Sequence, residues 1–106
     1  MSGCSLFQSV GTGEPVKDVQ VVVAPGNTLY DAMMSAANFR RWNVEKNADG
    51  SYRLSIIRKS NRCIVDVVLN GETSFSILPV ESTITVRKYN QWVNNLQREI
   101  IHRAAR

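Results

Sequence analysis

Along most of this chain apolar and polar residues alternate, but in two stretches they take the three-and-four spacing of a helix. The stronger helical stretch begins at Val86. At about 100° per residue, Val86, Tyr89, Trp92, Val93, Leu96 and Ile100 gather within about 60° of one line. Asn90, Gln91, Asn94, Arg98 and His102 take the opposite side. This is an amphipathic helix whose stripe needs an apolar floor, with Thr83 or Thr85 as its cap. The second stretch starts at Thr28, which with Asp31 three residues on resembles a capping box, and runs to about Arg40. Its inward face is expected to be Leu29, Ala32, Met33, Ala36 and Phe39, and the alanines let it sit close to a sheet.

The alternating stretches read as strands. In Val16 to Ala24, Val19, Val21 and Val23 alternate with Asp18, Gln20 and Val22, and Pro25-Gly26 stops the run. From Trp42 onward the choice of loop decides which side chains share a face. A bulged Ala48-Asp49-Gly50 loop pairs Val44 with Leu54, Trp42 with Ile56 and Glu45 with Arg53. A two-residue turn at Ser60-Asn61 pairs Ile56 with Val65 and Leu54 with Val67. A bulged loop at Leu69-Asn70-Gly71 then pairs Val65 with Phe75 and Cys63 with Ile77. The core face of this meander is Trp42, Val44, Leu54, Ile56, Cys63, Val65, Val67, Phe75 and Ile77. The other face carries Glu45, Arg53, Ser55, Asp66, Ser74 and Ser76, together with Ile57, Ile64, Val68 and Leu78. Pro79 to Thr85 is expected to connect to the last helix. The order β-α-β-β-β-β-α predicts an α+β two-layer sandwich, with two helices on one face of a mainly antiparallel sheet. The pairing position of the first strand stays open.

The length of 106 residues and 43% hydrophobic content fit one domain with its own core. The net charge of +4 is spread thinly, so no tract forms a nucleic-acid arm. No apolar run approaches the ~18 residues of a membrane span. Two cysteines in such a chain make no disulfide framework. Residues 1–13 are rich in Gly, Ser and Thr and read as a disordered tether, with the folded domain at 14–106. Ser2-Gly3-Cys4 looks like the tail of a bacterial lipobox, in which the cysteine is acylated and everything ahead of it removed. The basic and apolar parts of a signal peptide do not precede it, so the expectation is a chain trimmed to its mature form or nearly so. A chance Ser-Gly-Cys in an intracellular protein is the alternative.

Tyr89-Asn90-Gln91-Trp92-Val93-Asn94-Asn95-Leu96, taken with Cys4, resembles the C-terminal Tyr-Asn-x-Trp-Val-x-Asn-Leu helix of a family of small Gram-negative lipoproteins without an assigned activity. Arg41-Trp42 and Val65-Asp66-Val67 also follow its pattern. The chain departs from it between Ile77 and Tyr89, where the family has a longer connection. The resemblance implies a periplasmic protein of the cell envelope, held to a membrane by a lipid on Cys4, and implies nothing catalytic. Ser5 is not the aspartate associated with inner-membrane retention, which leans the expectation towards the outer membrane.

Candidate chemistry is sparse. His102, the sole histidine, lies on a polar helix side without spaced partners. Cys63 faces inward mid-strand, where a thiol is inert. No phosphate loop, metal spacing or carboxylate pair occurs, so neither metal nor cofactor is expected. Asn90, Asn94 and Asn95 are mediocre helix formers. They either satisfy the backbone of the 79–85 connection or, as Asn90 and Asn94 invite, form a polar recognition strip. Trp92 and Tyr89 read as core. Ile57, expected beside Ile64, and Val68 and Leu78 make the outer sheet face half apolar. That favours an envelope-protein partner or a weak homodimer docking there, unless Leu6 and Phe7 cover the face. The leading expectation is a lipid-anchored periplasmic binding module without an active site. An enzyme using Cys63 or an unseen cleft is the rival. An RNA-binding module comes last, since the sheet lacks an exposed aromatic pair for stacking bases.

Overall fold

A computed structural model describes residues 9–106. The elements are β1 (Val16–Gln20), α1 (Leu29–Phe39), β2 (Asn43–Lys46), β3 (Tyr52–Arg58), β4 (Asn61–Asn70), β5 (Ser74–Ser82) and α2 (Val86–Ala105). The strands form one five-stranded antiparallel sheet in the order β1-β5-β4-β3-β2, so β1 joins the meander beside its last strand. Both helices lie on one face, which gives the expected α+β sandwich. Leu54, Ile56, Cys63, Val65, Val67, Phe75 and Ile77 rise from the sheet, and all are buried. They meet Leu29, Met33, Ala36 and Ala37 of α1 and Tyr89, Val93, Leu96 and Ile100 of α2.

Both caps are made by threonine. Thr28 Oγ1 accepts from the Asp31 N–H at 3.0 Å, and Thr85 Oγ1 accepts from the Lys88 N–H at 3.2 Å. A tertiary cap joins the first: Glu72, in the β4–β5 loop, accepts from the Leu29 N–H at 2.7 Å. The far end of α2 is held by Asn27, whose amide donates to the carbonyls of Ala104 at 3.1 Å and Arg106 at 2.7 Å. These bonds satisfy orphan groups at the helix ends.

Four expectations are corrected. First, β1 ends at Gln20, short of Ala24. Its register slips between Val16 and Val19, with Asp18 at φ 52°, so that Val16 faces Ile77 and Val19 faces Phe75. The slip lets two valines an odd number of residues apart reach the same core. Second, two hairpins shift. The β3–β4 turn is Lys59-Ser60, which sets Leu54 opposite Val65 and Ile56 opposite Cys63. The β4–β5 loop is 71–73, which sets Val67 opposite Ile77 and Leu69 opposite Phe75. Both shifts are even, so every face assignment survives. The Val44–Leu54 and Glu45–Arg53 pairs stand as expected, while Trp42 lies just ahead of β2 and is buried. Third, β5 runs on to Ser82, through Pro79. Pro79 lies beyond the last β1 pair and beside a bulge between Ile64 and Val65, where a residue without an N–H is tolerated. Fourth, Phe39 is 61% exposed and Ala37 takes its place inside. The Phe39 ring lies under the guanidinium of Arg103, 4.9 Å from its centroid.

Residues 9–13, read as part of the tether, run beside the start of α2. Gly11 N–H donates to Ile84 at 2.9 Å, and Ser9 accepts from the Val86 N–H at 2.7 Å. Cys4, Leu6 and Phe7 lie outside the described residues. Among the described residues no helix is long and apolar enough to cross a membrane.

Candidate functional site

Among the described residues the outer sheet face carries no helix. Its apolar residues are staggered: Ile57 stands opposite Arg62 and Ile64 opposite Ser55, so the two isoleucines meet diagonally and not as a direct pair. Leu78 is opposite Asp66, and Val68 opposite Ser76. The result is a zigzag Ile57–Ile64–Leu78–Val68 running across β3, β4 and β5. Ile57 is 61% and Val68 38% exposed, Val80 adds a further exposed side chain at 41%, and Ile64 and Leu78 are half-buried.

Ion pairs flank the zigzag. Asp66 accepts from Arg53 Nε at 3.0 Å, Arg53 Nη2 at 3.1 Å and Asn47 Nδ2 at 3.1 Å. The Arg53 hydrogen bonds hold the Asp66 carboxyl below its ordinary range. Beyond, Arg62 Nε donates to Glu81 at 3.0 Å. Asn47 also donates to Ser51, whose hydroxyl bonds Asp49, and this pulls the Asp49 carboxyl down as well.

Asn90 and Asn94 lie together on α2, with Arg87, Gln91 and Gln97 along the same stripe. Opposite them Glu14, Pro15 and Val16 complete a groove of about 580 Å³. Gly13 passes so close to Asn90 that a Cβ there would collide with its amide. The amides are not spent on the 79–85 connection, which finds other partners. Ser82 Oγ accepts from the Ile84 N–H at 3.2 Å, and Thr83 N–H donates to Arg62 at 2.9 Å. Asn95 points elsewhere, into a smaller cavity of about 150 Å³ that it lines with Arg40, Trp42, Ile56, Arg58 and Trp92. Trp92 is therefore half-buried at a cavity wall, where a place in the closed core was expected. This cavity carried no signal in sequence, because three separate parts of the chain bring its lining together.

Cys63 is fully buried, and burial pushes its thiol up to about 12. A thiol so placed is no nucleophile in the folded state. His102 is exposed on α2. Among the described residues no group of three or more His, Cys, Asp or Glu side chains is placed to hold a metal ion. Compared with known protein families, curated proteins and solved structures, the chain finds no match in any of the three.

Proposed function

We propose that the chain is a binding module of the periplasmic cell envelope, tethered by a lipid on Cys4 to the outer membrane, which associates face to face through its outer sheet surface. The observation that carries this reading is the apolar zigzag of Ile57, Ile64, Leu78 and Val68 between two ion pairs, with no helix over it among the described residues. The tether rests on Ser2-Gly3-Cys4 and on the helix resemblance.

The first occupant of that face is a second copy of the chain. Five strands about 4.8 Å apart, each presenting about seven residues at about 3.3 Å, offer roughly 550 Å² per partner. A sheet-on-sheet pair would bury roughly 1,100 Å² in total, just below the range of stable complexes. Such an interface is weak in solution. Tethering to one membrane raises the effective concentration and makes weak association sufficient.

Sedimentation of the full chain up to about 1 mM should show a reversible dimer. Ile64→Lys should abolish it while leaving the melting temperature within a few degrees, because only the outer face changes. A wild-type chain that stays monomeric, or an Ile64→Lys chain that still dimerises, overturns the docking surface. Fractionation of cells tests the tether separately. Wild type should pellet with membranes and Cys4→Ser should not; equal distribution overturns acylation at Cys4.

A further inference from the structure

The chain has two tryptophans, and both line the same small cavity. Trp42 is 3% exposed and fixed in the α1–β2 turn, where its backbone N–H donates to the Ala37 carbonyl at 2.7 Å. Trp92 comes from α2, and Ile56 of β3 shares the lining. A cavity of about 150 Å³ is the size that accepts a benzene ring.

Its mouth is cationic. Arg58 lies over the Trp92 ring, 5.9 Å from the centroid, and has no carboxylate in salt-bridge range among the described residues. Arg40 reaches Glu99 only at 3.6 Å, and the same carboxylate receives Arg103 Nε at 2.7 Å. One carboxylate thus serves two guanidiniums, of which Arg40 lines the cavity, and Arg58 adds a second positive charge there. Asn95 contributes an amide with two N–H donors.

We propose that this cavity binds a small aromatic monocarboxylate. The ring lies against Trp42 and Trp92, which favour aromatic partners. The carboxylate takes Arg58 and Arg40 at the mouth, with the Asn95 amide as a further donor, because guanidinium forks match a carboxylate in two parallel bonds. A bare phosphate would leave the aromatic walls unused. A neutral ring would leave the arginines unused.

Since no tryptophan lies elsewhere, tryptophan emission and the two indole N–H resonances both report on this cavity. Titration of the full chain with benzoate should give a saturable change in both, with a midpoint near or below about 1 mM. Benzamide, of the same shape without the charge, should bind at least about tenfold more weakly, and so should benzoate to Arg58→Met. Arg58 is exposed at the end of β3, so Arg58→Met should keep the wild-type melting temperature. A dipeptide ending in phenylalanine forms a third arm. Equal binding of benzamide, an unchanged midpoint in Arg58→Met, or no saturable change with benzoate overturns the proposal. Tight binding of the dipeptide alone would reassign the cavity to peptide C-termini and overturn the small-acid assignment.

Discussion

Tyr89 carries its hydroxyl into the core and finds no hydrogen-bond partner among the described residues. An unpaired buried hydroxyl loses its water without compensation, at about 1–3 kcal/mol. Tyr89→Phe should therefore leave stability unchanged or raise it by up to about 1 kcal/mol, read from the urea midpoint. Burial pushes the Tyr89 hydroxyl up to about 12 from 10.0, with Cys63 adding to the effect, and pushes the Cys63 thiol up to about 12 from 9.0. In both cases folding favours the neutral, protonated form. The unfolded chain releases these protons from about pH 9 and 10 upward, whereas the folded chain holds them to about 12. Stability from this source is thus complete below about pH 9 and falls as pH rises towards 12. Denaturation midpoints across that window should decline in the wild type and decline less in Tyr89→Phe. An equal decline in both would show that the hydroxyl is not protected.

At the scale of elements, α2 divides its apolar stripe. Leu96 is closed off entirely, and Leu96→Ala should cost about 2–5 kcal/mol. Trp92 stands half-buried beside Arg58, so Trp92→Ala should cost about 1–2 kcal/mol, less than the 3–5 typical of a buried aromatic. Equal losses in the two variants, by urea denaturation, would place Trp92 in the closed core. The helical wheel alone could not separate them, since angle on a helix says nothing of where the opposing layer has a gap. Strand faces were legible for a related reason: one buried face fixes parity. Register depended on turn chemistry, and there the usual signals misled. Asn61 became the first residue of β4, while Lys59 takes the turn at φ 56°. Asn70 stayed in the strand and Gly71 took φ 60°. Neither the opposition of Trp92 to Arg58 nor the gathering of Arg40 and Asn95 could be read before three elements were set in place.

For the whole molecule, alternation and two capped helices were enough to define the layers, but not the seat of β1. Among the described residues no local pairing ties β1 to anything near it in sequence, and its short slipped register left little pattern to match. Its place beside β5 has a kinetic consequence. Each hairpin of the meander closes a short loop, whereas seating Val16 on Ile77 must close almost the whole intervening chain, and the entropy of that closure grows with its length. Folding should start in the β3–β4–β5 meander and end with β1. Val65→Ala is then expected to slow refolding, and Val19→Ala to leave the refolding rate nearly unchanged and speed unfolding. The reverse pattern in stopped-flow traces would put β1 in the nucleus. In the native state the same asymmetry makes β1 the first strand to let go. Its amides should exchange with solvent through a partial opening that leaves the other four strands joined.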